Sequence, residues 1–485
     1  MKGYRPWRGR LYAWLDTTIL AHIPLPWKRS VVRLLLAATH RQLNENERRQ
    51  IEERLLLHRV LIPAPTGETL PKWLLHDMKD LAMCVDPQLD PYTILTARPA
   101  SMLVPTHWTD AGRRYRNLAA RLAGRDFDTV ILVPWLKRGG ADLGAIHHAS
   151  ACVEDFGQRT LVIATEPGDS PWARRLPPET CFLAAGAELS GLATDALEPE
   201  LVLARLLLQL APSRIHVINS HTGWRTFENF GRALSQRSRL FTSLYCDELT
   251  VNGTPVGLAQ RHLATTHTWL DAVICDNTVA PARWVSGMGL PQRLFHVAHF
   301  PAPHDIPPQK REDIGKRLLW ASRFEWQKRP ELLLDLVKNL PEFEWDIYGE
   351  PTPDTKKLYK KLLGLPNVHA HGSYEKFANT IGPQHLAYVY TTRWDGLPNV
   401  LLEAASAAIP LIAPDVGGIR DLVPTELLLP ENAGVYDYVQ AIRRLQATKE
   451  EGRKQLTTSR VASFTREAFI EALRAVPGYA TRAPR

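Results

Sequence analysis

The feature that most constrains this chain is an alternation of short apolar runs and helical stretches, which begins near residue 129. The first six apolar runs are rich in β-forming residues and lie at 130–135, 160–165, 215–219, 240–245, 272–275 and 294–297. Helical patterns separate them, for example at 200–210 and 224–234. Because unbroken apolar strands separated by helices are typical of a parallel sheet covered on both faces, residues 126–300 predict a doubly wound, Rossmann-like α/β domain.

The same alternation restarts after residues 301–316, a proline-rich polar stretch that predicts an interdomain linker. Beyond it, strands are predicted at 317–321, 345–348, 368–370, 387–391 and 411–413, and helices at 330–340, 355–363, 398–408 and 436–445. Residues 317–460 therefore predict a second α/β domain, and 461–485 a C-terminal helix and tail. Ligands of such sheets bind at the carboxyl ends of the strands, so two facing domains create a cleft.

Residues 1–125 lack this alternation of apolar runs and helical stretches and predict a basic, mainly helical N-terminal extension. Its first 41 residues carry eight basic groups and one acid, which accounts for +7 of the chain's net charge of +8. The rest of the chain is therefore nearly neutral. This distribution argues against nucleic acid as a partner, despite the high isoelectric point.

Aromatic and apolar side chains, among them Trp7, Trp14 and Trp27, alternate with the basic groups of residues 1–41. No apolar run there reaches the ~18 residues that a membrane span needs. Basic groups beside Trp and Leu suit the interface of an anionic membrane, but a terminus that packs on its own protein stays open as the alternative. The five scattered cysteines contain no Cys-x-x-Cys pair and favour a reducing cytoplasm.

Two loops at strand ends carry residue types suited to an anionic ligand. Gly139 and Gly140 open a helix after the first strand, where free N–H groups and a partial positive charge attract an anion. Arg323 and Lys328 lie in the turn after the first strand of the second sheet, and both can bind phosphate oxygens. Each pattern taken alone also fits an ordinary strand-to-helix turn or a solvated basic turn.

A third loop, Asp395-Gly396-Leu397-Pro398-Asn399, leads into a helix that carries Glu403 among apolar residues. An acid in such surroundings is costly unless it has a partner. Glu403 can accept paired hydroxyl donors, such as a ribose diol, or it can point to solvent.

The string DGLPNVLLEAASAAIPLIAPDVGGIRDLV at 395–423 resembles the signature of family 4 glycosyltransferases, the retaining enzymes of the GT-B fold. Their pattern is an acid, seven residues and a Glu, followed by a Pro-containing strand and a Gly-Gly turn. Asp395 and Glu403 have that spacing. Other segments resemble family loops in the same order, namely the double glycine, Asn219-Ser220-His221, the pair Arg323 and Lys328, and Tyr348-Gly349-Glu350. The likeness covers residues 129–475.

The resemblance implies a GT-B fold and transfer of a hexosyl group, with retention, from a nucleotide sugar to a glycan or lipid-linked acceptor. It implies that Arg323 and Lys328 bind the diphosphate and stabilise its leaving charge. It assigns Asp395 to donor-sugar hydroxyls, Glu403 to the ribose, and His221 to the neighbourhood of the transferred sugar. It assigns donor or nucleotide contacts to the loop residues Gly139, Gly140, Gly349, Gly396, Leu397, Pro398 and Asn399.

The sequence departs from the family pattern at three places. Asp395 stands where Glu is commoner, which shortens its reach by one methylene. Ala408 stands where the family usually has Gly before a buried strand. The segment 296–300 lacks the usual Asn-Gly hinge.

Asp126-Phe127-Asp128 matches the Asp-x-Asp pattern of metal-dependent glycosyltransferases. It precedes the first strand, at the amino end of the sheet, where ligands of parallel sheets do not bind. We therefore interpret it as a strand-entry turn and predict neither a catalytic metal nor another cofactor.

The expected setting is synthesis of envelope polysaccharide or lipopolysaccharide in the cytoplasm, at the inner face of the cytoplasmic membrane. Two alternatives stay open. One is a non-catalytic GT-B scaffold that binds a nucleotide or glycan. The other is a different GT-B chemistry, such as a phosphorylase or a sugar-nucleotide epimerase.

Overall fold

The computed structural model of the chain describes residues 72–84, 110–192, 194, 197–304, 306, 315–449 and 460–481. The chain divides into two compact units, 1–108 and 109–485. In the first unit the described residues form helix α1 (Lys72–Cys84). The basic segment 1–41, and most of the predicted N-terminal extension, lie outside the described residues.

The first half of the second unit is built on a seven-stranded parallel sheet of order β3-β2-β1-β4-β5-β8-β9. Its central strands are fully buried because their side chains are apolar on both faces. A short antiparallel hairpin, β6–β7, lies outside this sheet. The strands are β1 (Thr129–Val133), β2 (Thr160–Ala164), β3 (Cys181–Ala184), β4 (Arg214–Ile218), β5 (Arg239–Ser243), β6 (Glu248–Leu249), β7 (Pro255–Val256), β8 (Ala272–Cys275) and β9 (Phe295–Val297).

Helices connect and cover these strands. Most follow a strand directly, as parallel crossovers require. They are α2 (Asp110–Arg121), α3 (Gly140–Ser150), α4 (Gly186–Ser190), α5 (Glu198–Leu210), α6 (His221–Ser235), α7 (Leu258–Thr266) and α8 (Val279–Met288).

The second half repeats this plan around a six-stranded parallel sheet of order β12-β11-β10-β13-β14-β15. Its strands are β10 (Arg317–Ala321), β11 (Glu344–Tyr348), β12 (Val368–Gly372), β13 (His385–Val389), β14 (Leu411–Pro414) and β15 (Leu428–Leu429). Its helices are α9 (Pro330–Asn339), α10 (Lys356–Leu363), α11 (Asn399–Ser406), α12 (Ile419–Leu422) and α13 (Val435–Ala447), and α14 (Arg466–Arg474) follows near the C-terminus.

Two doubly wound halves confirm the predicted fold class. The central strands begin and end within about two residues of their predicted positions, as at β10. Edge strands β3 and β15 and the hairpin were not predicted from the sequence. These elements are short, and β3 is only partly buried, so they lack the long apolar run that marks a central strand.

The C-terminal segment returns to the first half of the unit. The Arg466 guanidinium contacts the Glu154 and Asp155 carboxylates at 2.6 and 2.5 Å. The Tyr479 hydroxyl lies 2.9 Å from a ring nitrogen of both His148 and His216, in the buried core. The final residues therefore fasten the second half of the unit to the first.

Among the residues that the structure describes, no helix is long and apolar enough to cross a membrane.

Candidate active site in the interdomain cleft

Lys328 is brought to the carboxyl edge of the second sheet by the loop between β10 and α9. A single 3₁₀ turn, Trp326–Lys328, precedes Arg329, whose φ of +51° reverses the chain so that Pro330 can begin the helix. Lys328 is only 8% exposed in this turn. A lysine held this far inside the protein needs polar partners.

Lys328 finds those partners in Tyr390 and Asp395, and the three side chains form a closed triangle. The Lys328 ammonium donates to the Tyr390 hydroxyl at 2.6 Å and to Asp395 Oδ2 at 2.5 Å. The Tyr390 hydroxyl donates to the same carboxylate oxygen at 2.5 Å. These contacts use two of the three ammonium N–H groups, which leaves one for a ligand oxygen.

Tyr390 acts as a neutral donor in this triangle. Burial raises the pKa of its phenol well above the ordinary value, and the neighbouring Asp395 charge raises it further. The phenol therefore stays protonated at neutral pH. It holds the Asp395 carboxylate in place while Lys328 balances its charge.

The loop that carries Asp395 rests on the turn Gly417-Gly418, and both glycines are required there. Gly417 has a φ of +52°, and a Cβ at this position would lie 1.8 Å from the Asp395 carbonyl oxygen. A Cβ on Gly418 would lie 2.4 Å from the Asn277 Cβ, in the first half of the unit. The Gly-Gly turn therefore lets the Asp395 loop and the facing domain come close together.

Asp276 is a cleft residue that the sequence analysis missed. It follows β8 in the first half, is 4% exposed, and accepts hydrogen bonds from the Leu397 N–H at 3.0 Å and Asn277 Nδ2 at 2.6 Å. Burial raises the pKa of its carboxyl to about 7. The available signal was an acid directly after a buried strand, at the ligand-binding end of the sheet.

Further contacts join the two halves around the cleft. Asn399 Nδ2 donates to the Gly140 carbonyl at 3.4 Å, which connects the starts of helices α11 and α3. The Arg138 guanidinium lies 4.7 Å from the centre of the Tyr374 ring. The structure therefore brings the Gly139-Gly140 loop and the Asp395–Asn399 loop together across the cleft.

A carboxylate of the second half also binds the first half directly. Asp421 accepts from the Thr278 N–H at 2.8 Å and from the Thr278 hydroxyl at 2.7 Å, and it lies 3.1 Å from His299 Nε2. These hydrogen bonds hold the pKa of the Asp421 carboxyl below its ordinary value, although burial acts in the opposite direction.

Arg323 and Glu403 lie outside the Lys328 triangle. The Arg323 side chain is 68% exposed and contacts Glu325 at 3.1 Å. Glu403 is half-buried on α11, and its charge adds to the burial that raises the pKa of Tyr374 to about 12. Both side chains therefore border the same end of the second sheet without joining the Lys328 triangle.

Gly349 and His221 occupy two other strand ends. Gly349 follows β11 with a φ of +137°, and a Cβ there would lie 2.1 Å from the Ser322 carbonyl oxygen, so the position requires glycine. His221 is exposed at the first position of α6, just after the end of β4. Helix α6 is capped by Ser220, whose hydroxyl accepts from the Gly223 N–H at 2.8 Å.

A cavity of about 300 Å³ opens beside Asp395. Its wall combines the hairpin β6–β7 and helix α8 of the first half with Arg393, Trp394 and the Gly417 turn of the second half. Asp395 therefore contacts Lys328 and Tyr390 on one side and borders this cavity on the other.

The described part of the chain holds no cluster of three or more His, Cys, Asp or Glu side chains arranged for a metal ion. Of the Asp-x-Asp pair at the sheet's amino end, Asp126 is largely exposed, whereas Asp128 is buried and binds the Arg159 guanidinium at 3.0 Å. That pairing lowers the pKa of the Asp128 carboxyl.

Comparison with known sequences gives one family match and a small set of relatives. Residues 315–448 match the family described as Glycosyl transferases group 1. The chain is 25% identical over 231 residues to the O-antigen biosynthesis glycosyltransferase WbnH of Escherichia coli. That alignment covers 48% of this chain and 60% of WbnH, so the chain spans less than two thirds of this relative's length.

Solved structures resemble the fold over a larger share of the chain. Anabaena HepE in complex with UDP and glucose superposes with a TM-score of 0.55 at 15% identity, covering 72% of this chain and 98% of HepE. The lipopolysaccharide outer core galactosyltransferase WaaB, in its apo form, gives a TM-score of 0.55 at 16% identity with the same coverage. Together with the two parallel sheets, these likenesses show the GT-B fold.

Proposed function

We propose that this protein is a glycosyltransferase that moves a hexosyl group from a nucleotide-diphosphate sugar to a glycan or lipid-linked acceptor, with retention. The match to glycosyltransferases over 315–448 supports the reaction class. The O-antigen relative and the lipopolysaccharide galactosyltransferase support a place in cell-envelope polysaccharide synthesis. HepE binds UDP and glucose, which supports a nucleotide sugar as the donor.

The Lys328–Tyr390–Asp395 triangle is the observation that carries this proposal. When a sugar–phosphate bond breaks, negative charge develops on the leaving diphosphate, and a fixed cation stabilises that charge without reorganisation. Lys328 is such a cation, because Tyr390 and Asp395 hold its ammonium at 2.6 and 2.5 Å. Its remaining N–H group is then available to a phosphate oxygen.

Two helix starts add to the positive potential at the same place. Helix α3 begins at Gly140 and helix α11 at Asn399, and the contact between these residues brings the two N-termini together. Helix N-termini carry free N–H groups and a partial positive charge, which favours a bound phosphate group. A diphosphate bound beside both N-termini needs no metal ion in this proposal.

The remaining predicted residues take supporting roles in the proposal. Arg323 is exposed and paired only with surface groups, so it is free to turn toward the diphosphate. Asp395 and the loop Gly396–Asn399 contact the donor sugar, and Glu403 holds the ribose hydroxyls. Gly139, Gly140 and Gly349 let the backbone approach the donor, and His221 belongs to the first-half wall of the cleft.

The proposed location is the cytoplasmic face of the membrane, where residues 1–41 dock on anionic lipid. The evidence for docking is the charge of that segment, which holds eight of the chain's basic groups against one acid.

A ligand screen followed by a turnover assay tests the proposed reaction. A nucleoside diphosphate that binds the folded protein at 100 times its Kd stabilises it by about 2.7 kcal/mol, which a thermal-shift assay detects. The matching nucleotide sugars are then incubated with the protein and release of the nucleoside diphosphate is measured. We expect one base to be preferred in both assays.

Three outcomes of these assays would contradict the proposal in different ways. Nucleotide binding without any sugar consumption, unchanged in Lys328→Ala, would favour a non-catalytic scaffold. Consumption that requires inorganic phosphate would favour a phosphorylase. Conversion of the nucleotide sugar into an isomer, without release of the diphosphate, would favour an epimerase.

A further inference from the structure

The cavity beside Asp395 is built from both halves of the unit, and the proposed function assigns it no ligand. Its volume is about 300 Å³, at the lower end of the ~300–1,000 Å³ usual for ligand pockets. Trp394 forms part of its wall, and helix α8 supplies Trp284 and Met288. Aromatic faces beside a few polar groups are typical of sites for small organic ligands.

Asp247 is the polar group of this cavity with an unfilled hydrogen-bonding position. Its Oδ2 accepts from Trp284 Nε1 at 2.9 Å and from Gln260 Nε2 at 3.2 Å, so the carboxylate is held in one orientation. Its Oδ1 is buried in the wall without a hydrogen-bond partner among the described residues. A buried carboxylate oxygen is costly without a donor, and a ligand hydroxyl supplies one.

The charges of the cavity favour a neutral ligand over a phosphate. Both of its guanidinium groups are already paired, since Arg283 contacts Glu431 at 3.2 Å and Arg393 contacts Glu331 at 2.5 Å. Asp247 and Asp395 place two carboxylates in the same wall. A phosphate group would be repelled by the Asp247 carboxylate, whereas a sugar ring offers it a hydroxyl donor.

We propose that this cavity binds a neutral, hydroxyl-rich sugar unit of the acceptor, with Asp247 accepting one of its hydroxyl groups and Trp394 packing against the ring. This inference rests on the proposed function and deepens that function by naming where the acceptor lies and what its end group is. A sugar bound here lies beside Asp395, next to the proposed position of the donor sugar that is transferred to it.

The test uses the full-length protein saturated with the nucleoside diphosphate that it binds. Methyl glycosides of glucose, galactose, N-acetylglucosamine and N-acetylgalactosamine serve as probes, and binding is followed by tryptophan fluorescence and saturation-transfer NMR. Asp247→Asn is expected to weaken binding of the preferred glycoside about 10-fold or more, because it removes a charged acceptor. Asp126→Asn is the matched control, since Asp126 is exposed at the opposite end of the first sheet.

A second variant keeps the test decisive if Asp247→Asn does not fold. Gly287 lines the cavity from helix α8, and a Cβ added there meets open space, so Gly287→Phe fills the cavity without a backbone clash. Loss of glycoside binding in both variants, with nucleotide binding unchanged, would support the proposal. Equal glycoside affinity in either folded variant and wild type, or no glycoside binding to nucleotide-saturated wild type, would overturn it.

Failure of this inference is distinguishable from failure of the proposed function. Nucleotide binding and turnover of the nucleotide sugar by water report on the donor side alone. If these persist while no glycoside uses the cavity, only the acceptor assignment is wrong. A nucleoside that displaces the glycoside from the cavity would likewise overturn the acceptor assignment, because it would make the cavity a donor site.

Discussion

At the scale of single residues, Lys328 and Asp395 depend on one another. Their side chains are mostly buried and lie 2.5 Å apart. An unpaired charge in such a place is strongly unfavourable, so loss of either side chain would leave the other without its partner. The pair therefore keeps a cation at the cleft before any substrate arrives, which is what stabilisation of a leaving diphosphate requires.

Asp276 predicts a pH dependence of stability. Its pKa of about 7 in the folded protein lies above the ~4 of an unfolded aspartate, so the folded state binds the proton more tightly. Stability is therefore expected to fall as pH rises from about 4 to about 7, by at most ~4 kcal/mol from this group. Asp276→Asn removes that dependence, and unfolding in denaturant between pH 5 and pH 8 measures it.

The comparison with wild type isolates Asp276 from other titrating groups. Buried His148 and His216 have lowered pKa values because burial disfavours their charged forms, and they titrate in both proteins. Asp169→Asn, at a highly exposed carboxylate, is the control and should follow the wild-type curve. Identical pH curves for wild type and Asp276→Asn would show that the pKa of Asp276 is not raised in the fold.

At the scale of elements, the end of helix α11 carries local backbone strain at a position where this sequence departs from the family pattern. Ala408 has a φ of +58°, in the left-handed region that favours glycine. The Ile409 N–H reaches back to the Ala404 carbonyl at 3.2 Å, which is the hydrogen bond of a Schellman helix end. The family usually has Gly at this position, and the left-handed backbone conformation explains why Gly is favoured there.

We therefore predict that Ala408→Gly stabilises the protein by about 1 kcal/mol, because it relieves the left-handed strain. The change in the free energy of unfolding is measured by urea denaturation.

The neighbouring residue provides the control for this prediction. Ala407 has an ordinary φ of −76°, so Ala407→Gly should destabilise by about 0.5–1 kcal/mol or more through chain entropy. Destabilisation by Ala408→Gly of the same size would contradict the strain argument.

Element by element, sequence patterns predicted what depends on local chemistry. The buried strand β10 and helix α9 show their apolar periodicity directly, and the Gly-Gly turn shows its backbone requirement. The role of Asp276 was not predicted because it depends on contact with Leu397, more than a hundred residues away in sequence. The cavity was not predicted for the same reason, since its wall forms only when β6–β7 and α8 meet the second half.

At the scale of the whole molecule, the net charge and the chemistry lie in different places. Residues 1–41 hold nearly all of the excess positive charge. The candidate site instead uses a few cations whose positions are set by hydrogen bonds, chiefly Lys328. We therefore expect membrane docking and nucleotide binding to be separable by deletion.

Deletion of residues 1–41 is predicted to weaken binding to vesicles that contain anionic phosphatidylglycerol, because it removes a net charge of +7. The thermal shift caused by the preferred nucleoside diphosphate should not change. Vesicle co-sedimentation at low salt measures the first effect, with neutral phosphatidylcholine vesicles as the reference.

A second basic surface in the chain provides the matched control for that deletion. Helix α10 exposes Lys356, Lys357, Lys360 and Lys361, and replacing all four with Gln should leave vesicle binding near the wild-type level. If the four-residue variant loses vesicle binding and the deletion does not, the docking surface lies on the second half of the unit instead.

The most direct test of the central claim is the turnover of the preferred nucleotide sugar by wild type, Lys328→Ala and Lys356→Ala. Lys356 is an exposed lysine on α10, whereas Lys328 is the buried cation of the triangle. We predict that Lys328→Ala lowers kcat by about 100-fold or more, as loss of a fixed charge-stabilising donor does, and that Lys356→Ala changes it little. Equal kcat for folded Lys328→Ala and wild type would contradict the account.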